Sequence, residues 1–535
     1  MSTQVQMRLL TLASVLAGML ATPGCERTTV GDASAGVLKP GQRPPNIVFI
    51  VVDTLRADRL GPYGSRDGLC PFADSLAAEG VTFEQCVSAA PWTLPSVASL
   101  FTSYYPSVHK TTQYVSPTAQ NVQNIRNTQG FVSVLPDEEF TTLAEALGRI
   151  GYECAGVSAN RFVSAKFGFA QGFDYFYDKF EGDHVPGDEV HAQVAAWLEQ
   201  RTGEQPFFLY VHYMDVHGPY NAKAEYMAPL LSRVEARSDK RALTPQEFGG
   251  IKKYLNVPPP DDSDPGRFER LKGYWDYWAA RYDAGVVQVD HWLGALRDAL
   301  RAKGLWDEAY VVFLSDHGEE LCEHGTWDHG YTLHSPETHV PLILRWPGML
   351  PAGKRVAGVV RSIDIMPTLF EQMRVPATGN LQGASLLPHI QGQHNLPPII
   401  ALSESLKGLP VRAHQAIVRG EWKLLRREQV LRGPDGRRTG EVRVERLLYN
   451  TTSDPLEQHN VAAAHADLVR ELERLLDQSN AANDVLKPNV QVKVTAGPDL
   501  RGLGYVGGAP DDEEQPATAP SSASSPAASE AGGGP

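Results

Sequence analysis

The chain reads as an α/β protein, a mainly parallel sheet sandwiched by helices, followed by a smaller carboxyl-terminal α+β unit. Three observations predict it. Asn46-Ile-Val-Phe-Ile-Val-Val-Asp53 is a continuous apolar, largely β-branched run, typical of a strand covered on both faces. Runs of the same type recur at Phe207–His212, Tyr310–Leu314 and Val340–Leu344. Ahead of the Tyr310 run, Val286, Val289, Leu293, Leu296 and Leu300 mark one helical face, and Gly304 supplies a stop. Strand, helix, strand in this order makes parallel neighbours. Polar residues at the carboxyl ends of those strands are then the first place to seek a site.

Along the chain, Arg8 precedes an apolar run from Leu9 to Ala21, then Thr22, Pro23, Gly24 and Cys25. The run is short for a membrane span and reads as the core of an export signal over residues 1–25. Small residues before Cys25 allow a lipoprotein cleavage site, although Thr22 and Pro23 fit that pattern poorly, and ordinary cleavage stays open beside it. The expected location is therefore periplasmic, anchored to the outer membrane through a lipidated Cys25, or extracellular. Residues 26–43 are rich in Gly, Thr, Ser and Pro and read as a tether, with the α/β domain spanning 44–400. Within it, Lys223 to Asp264 reads as a polar, proline-punctuated, irregular insertion near the site mouth. Residues 401–485 form the smaller unit. In it Ala416–Leu425 and Glu441–Tyr449 look like paired strands about a PDG turn, followed by a helix from about Ala464 to Asn480. The stretch 510–535 has too few apolar side chains to offset its ordering entropy and is expected to be disordered.

Lys+Arg 49 against Asp+Glu 63 gives a formal charge of −14, which argues against nucleic acid as a partner. A local cationic site can still hold a small anion inside an acidic protein. Cys70, Cys86, Cys154 and Cys322 form no CxxC pair, which leaves one or two disulfides or buried thiols; burial is the default for Cys86 and Cys154.

Three apolar strands lead into polar residues of one chemical kind: Asp53, Asp215-Val-His217, and Ser315-Asp316-His317-Gly318-Glu319. An aspartate ending a buried run is costly unless something pairs with it. Any one could be a helix N-cap. Three together, one with Asp and His adjacent, point to a divalent cation held by carboxylate and imidazole on rigid strands.

The blocks PNIVFIVVDTLRADRLGPYG, APWTLPSVASLFTSYYPSVH, PFFLYVHYMDVHGPY and VVFLSDHGEELCEHG resemble the core of the sulfatase family, within the alkaline-phosphatase superfamily. HGTWDHGYTLHSPETHVPLILRWPG, SIDIMPTLF and GEWKLL…LLYNTTSDPLEQHNVAA continue the likeness over roughly residues 44 to 480. The resemblance implies an alkaline-phosphatase-like fold and a metal held by Asp53, Asp316 and His317, with Thr93 at the nucleophile position. Sulfatases carry a second aspartate where Thr54 stands. They also carry Cys or Ser followed by x-Pro-Ser-Arg where this chain reads Thr93-Leu94-Pro95-Ser96-Val97. Threonine cannot yield formylglycine, so none is expected, and superfamily phosphotransferases use threonine there. His217 matches a histidine at the leaving group, and His329 falls where relatives bind substrate. His109 and Asn160 lie in matching blocks without an assigned role, and His324, His334 and His339 are expected to be satisfied structural histidines.

The implied enzyme is a metal-dependent hydrolase or phosphotransferase of phosphate, phosphonate or sulfate esters, acting on a small anionic ester. Thr93 is the nucleophile and also touches the metal, His217 protonates the leaving oxygen, and His329 neutralises non-bridging oxygens. One divalent ion is expected: calcium by its preference for oxygen, manganese or zinc by the presence of His317. A second ion on Asp215, His217 and His329 is disfavoured by their spacing. Two alternatives stand beside this reading: a formylglycine-independent sulfuric ester hydrolase, and a cell-surface binding protein of the same fold without turnover.

Overall fold

The computed structural model describes residues 36–114, 131–136, 139–180, 185–237, 275–325, 327–330, 332–376, 379–405, 414–432, 438–486 and 494–496. The export signal with Cys25, the PDG turn, the insertion beyond 237 and the carboxyl-terminal tail lie outside them.

Nine strands among the described residues build the main sheet. In chain order they are β1 (Ile47–Val52), β2 (Val81–Val87), β3 (Glu153–Ser158), β4 (Tyr175–Tyr177), β5 (Phe207–Tyr213), β6 (Tyr310–Leu314), β7 (His339–Val340), β8 (Leu342–Arg345) and β9 (Lys354–Arg361). β1 lies at the centre between β5 and β6, parallel to both, and β3 and β4 continue the parallel run beyond β5. β8 is antiparallel to β6 and β2, and β9 returns parallel to β2. The Val340–Leu344 run, expected as one parallel strand, is thus antiparallel and broken at Pro341, which has no N–H to give to a ladder.

The helices include α1 (Thr93–Thr102), α2 (Ala224–Arg237), α3 (Trp275–Ala302) and α4 (Ala466–Leu486). Alternation along the central strands divides the core. Ile47, Phe49 and Val51 pack with Phe208, Tyr210, Val312 and Leu314 against Leu94, Val97 and Phe101 of α1. Val48, Ile50 and Val52 face the other way, with Leu209, Val211 and Phe313, onto Val286, Val289, Leu293, Leu296 and Leu300 of α3. α3 ends as Gly304 takes φ +70° and the Leu305 amide returns to the Leu300 carbonyl at 2.9 Å.

The smaller unit is a four-stranded antiparallel sheet, β10 (Ile400–Ser405), β11 (His414–Arg419), β12 (Trp422–Arg432) and β13 (Arg438–Asn450). Val469, Leu472 and Leu476 of α4 cover Leu402, Ile417, Leu424 and Leu448. Ala416–Leu425, expected as one strand, is two strands turning at Gly420, whose φ of +59° suits a residue without a Cβ. α4 runs past Asn480 because asparagines on its last turns find partners: Asn480 accepts from Gln415 at 2.8 Å, and Asn483 donates to Ser107 at 2.9 Å.

The insertion is not irregular throughout. Residues 224–237 form α2, along which Met227, Leu230 and Val234 recur at helical spacing despite Pro229. Leu38, in the expected tether, is buried with its amide on the Gln372 carbonyl at 2.9 Å. Cys70, Cys86 and Cys154 are buried thiols, so none of the three forms a disulfide. No helix among the described residues is long and apolar enough to cross a membrane.

One ion pair holds the loop after β6. Arg56 is buried, with Nη1 2.6 Å from Glu323, Nη2 2.8 Å from Asp58, and a further bond to the Glu319 carbonyl. Removing one partner of such a pair strands the other charge in the interior. Arg56→Ala is expected to cost ~3–5 kcal/mol of stability, read as a shift in urea midpoint at unchanged slope.

Candidate active site

The site follows from strand register. Val51 of β1 lies opposite His212 of β5 and Leu314 of β6. Two residues beyond Val51 and Leu314, on the same face, come Asp53 and Asp316, so adjacent parallel strands deliver two carboxylates to one level, with an imidazole beside them. This is the face covered by α1, whose first residue is Thr93. Asp53, Thr93, His212, Asp316, His317 and His329 are all 0 % exposed.

Thr93 is not an N-cap. Trp92 holds that position, and α1 has no side-chain cap there. The Thr93 hydroxyl turns instead toward Asp53 Oδ2 at 3.3 Å and His317 Nε2 at 3.3 Å, and receives the Asn160 amide at 3.1 Å. Asn160 donates to Asp53 Oδ2 as well, at 2.6 Å, and so spans nucleophile candidate and carboxylate. Ser96, one turn along α1, bonds the Asp316 carbonyl at 2.6 Å and ties helix to strand end. Ser315 bonds the Val52 carbonyl at 2.6 Å and joins the ends of β6 and β1.

The histidines are oriented by what holds Nδ1. His317 Nδ1 gives its proton to the Gly318 carbonyl at 2.8 Å, which leaves a lone pair on Nε2 beside Asp53 and Asp316, each at 3.5 Å. Gly318 is required there, because a Cβ would lie 2.0 Å from the Pro336 carbonyl. His217 Nδ1 likewise meets the Gly218 carbonyl at 2.7 Å. His329 Nδ1 lies 2.9 Å from Glu319 and 3.1 Å from Asp328. His329 sits between the other two, with ring centroids 4.4 Å from His317 and 5.0 Å from His217.

The charge distribution calls for a cation. Burial alone would raise the Asp53 carboxyl, but the His212 hydrogen bond and the rings of His217 and His317 outweigh it and hold the group below the usual range. Asp316 is pushed well above its usual range, by burial first and then by the charge of Asp53. Asp53 Oδ1 and Asp316 Oδ2 are buried without a hydrogen-bond partner. Ligand atoms of Asp53, His212 and Asp316 lie within 4.8 Å of one another. Two carboxylates, two imidazoles and two unsatisfied oxygens fit a divalent ion.

The sequence-derived set Asp53, Thr93, His217, Asp316, His317 and His329 is thus brought together. His212 was not in it, although its alternation with Phe208 and Tyr210 puts it in phase with the α1 face. Thr54 contributes nothing toward a cation: at φ +58° its hydroxyl folds back onto the Asp53 carbonyl at 2.7 Å. Asp215 accepts from Gln288 of α3 at 2.6 Å and joins no cluster of metal-ligand atoms among the described residues. His109 is structural, its Nδ1 accepting from the Thr111 amide and its Nε2 meeting Ser99, while burial pushes it down to about 3 and keeps it neutral.

The sulfatase family model matches residues 45–375, which carry every one of these side chains. The chain belongs to the sulfatase family. A second model, the carboxyl-terminal region of N-sulphoglucosamine sulphohydrolase, matches residues 322–482 of this sulfatase-family chain. Among relatives, the multifunctional alkaline phosphatase superfamily protein PehA of Trinickia caryophylli is 27% identical over 64% of this chain and 77% of its own length. N-acetylglucosamine-6-O-sulfatase of Bacteroides thetaiotaomicron is 22% identical over 82% and 87%. Two solved structures share the fold. One, in complex with its substrate D-glucosamine-2-N,6-O-disulfate, has TM-score 0.63 at 21% identity, covering 84% of this chain and all of that one. The other, phosphonate monoester hydrolase of Agrobacterium radiobacter, has TM-score 0.61 at 20% identity, covering 82% and 96%.

Proposed function

We propose that this sulfatase-family protein is a metal-dependent ester hydrolase or phosphotransferase whose nucleophile is Thr93, and that it prefers phosphate or phosphonate esters. The observation that carries the reading is the Thr93 hydroxyl, turned away from helix capping and held among Asp53, His317 and Asn160. Asp53, His212, Asp316 and His317 would hold the cation. Bound there, a divalent ion supplies Lewis acidity, favouring the ionised Thr93 oxygen and neutralising charge on the substrate's non-bridging oxygens.

The chain's own groups do the rest. Asn160 Nδ2 fixes the direction of the Thr93 oxygen. Asp53 Oδ2, at 3.3 Å, is the acceptor available to its proton as the bond to phosphorus or sulfur forms, with Oδ1 left for the cation. The bond to the alcohol oxygen breaks, and that oxygen takes a proton from His217 in its protonated form. His329, backed by Glu319 and Asp328, is the donor for a non-bridging oxygen. Water or another alcohol then attacks the Thr93 ester.

That last step favours phosphorus. A formylglycine hydrate releases sulfate by elimination from its second hydroxyl, whereas a threonine ester has none and must be cleaved by attack on the central atom. The named activity of the phosphonate monoester hydrolase supports this preference. The second reading, a sulfate-ester hydrolase acting on sulfated sugars without formylglycine, is favoured by the N-acetylglucosamine-6-O-sulfatase relative and the disulfated glucosamine complex. A panel of aryl phosphate monoester, phosphate diester, phosphonate monoester and aryl sulfate decides between them by kcat/KM. The highest value on a phosphorus ester is expected, and the highest on the sulfate would contradict the preference. The amino-terminal segment supports an exported enzyme, with Cys25 as the candidate lipid anchor.

A further inference from the structure

A second cluster lies between the loop after β6 and the carboxyl-terminal sheet. His324 Nδ1 is 2.7 Å from Glu320 Oε1 and His334 Nδ1 is 3.7 Å from the same oxygen. The two imidazoles are nearly parallel, 23° apart, with centroids separated by 3.5 Å. Ring pairs held together by their own interaction prefer offset or edge-on arrangements at about 4.5–7 Å. These rings stand closer than that.

Hydrogen-bond accounting shows what the cluster lacks. His324 Nε2 gives its proton to the Glu457 carbonyl at 3.1 Å, so in a neutral ring Nδ1 is a lone pair facing a carboxylate oxygen at 2.7 Å. Two lone pairs at that distance need a positive centre between them. A proton on His324 would serve that pair alone. It would leave His334 Nδ1 and Glu320 Oε2, both buried, without a hydrogen-bond partner. A metal ion serves all three, since ligand atoms of Glu320, His324 and His334 lie within 4.8 Å of one another. Glu320, Glu337 and Glu457 are buried here, and the ammonium of Lys423 is taken up by Glu457 at 3.0 Å.

We propose that Glu320, His324 and His334 form a second cation site, of zinc class by its two imidazoles and one carboxylate, separate from the ion at Asp53 and Asp316. All three ligands sit on the segment 320–334 that also carries Asp328 and His329. The ion closes that loop against Lys423, Glu457 and Tyr449 of the smaller unit, the last lying 3.5 Å from His334 Nε2. Its role is to hold the His329 loop.

The test counts zinc on the full-length protein, stripped with chelator and then dialysed against zinc chloride. The Asp316→Ala variant, which lacks a carboxylate of the active-site set, is expected to retain one equivalent, lost again in Asp316→Ala/His334→Ala and in Asp316→Ala/Glu320→Gln. Zinc should raise the melting temperature of Asp316→Ala and leave that of the double variants unmoved. Cobalt in place of zinc in Asp316→Ala should give the visible bands of a low-coordinate nitrogen–oxygen site, a readout that does not depend on the double variants folding. No zinc on Asp316→Ala, an equivalent that survives loss of His334, or the absence of cobalt bands would each overturn the proposal. Failure of the active-site ion would appear differently, as a wild-type protein whose single equivalent is untouched by Asp316→Ala.

Discussion

Thr93→Ala is expected to lower kcat on the preferred ester by on the order of 10⁴-fold, with KM changed little and the bound metal retained. The expectation rests on what the hydroxyl does in the fold. Its removal takes no cap from α1, because Trp92 occupies the N-cap and α1 has no side-chain cap hydrogen bond. Alanine also loses the buried γ-methyl, a methyl-sized deletion, so stability should fall by about 0.5–1.5 kcal/mol, too little to unfold the site. The loss is therefore chemical. Thr93→Ser keeps the oxygen within reach of Asp53 and His317 and is expected to recover most of the rate. Alanine and serine variants of equal activity would show that the oxygen is a bystander.

Loss of the cation has the second large effect. Without it Asp53 and Asp316 face each other, buried, and burial together with the charge of Asp53 pushes Asp316 toward its protonated form. Chelation is expected to lower kcat/KM by roughly 10³-fold or more, the equivalent of the several kcal/mol that a Lewis acid contributes to a phosphoryl or sulfuryl transition state. Asp316→Asn is expected to bind no ion at the active site. It should nevertheless be more stable than the chelated wild type, because it removes the like-charge pair. That opposite movement of stability and activity separates a metal centre from a structural carboxylate cluster. His212→Ala should weaken metal affinity by at least ~10- to 100-fold, the range seen when a group that orients or supplies a ligand is lost. Unchanged affinity would remove His212 from the ligand set.

Much of this site is legible before any coordinates. A buried run such as Ile47–Val52 demands a parallel sheet, and its terminal Asp53 lands at the carboxyl rim because strands of this class end there. Asp316 and His317 follow for the same reason one strand away. His212 was missed because it lies inside an apolar run, where a histidine reads as a strand residue. Only the pairing of His212 with Val51 shows that it reaches the face of Asp53. Asn160 lies in a loop and Asp328 in a two-residue strand, and no local pattern encodes where either comes to rest. The same holds for His334, a structural histidine by its sequence pattern, whose ring packs on that of His324. α2 was overlooked because Pro229 and the surrounding charges masked a helical stripe that its packing on α3 makes plain.

The central claim is that Thr93 carries the transferred group. It is tested most directly by acid-quenching the metal-loaded enzyme during turnover of its preferred ester and mapping the modified peptide by mass spectrometry. A phosphoryl or sulfuryl group on the Thr93 peptide, absent from Thr93→Ala and accumulating at the rate of the first turnover, is the predicted result. Full turnover by Thr93→Ala, or an adduct on any other residue, would contradict it.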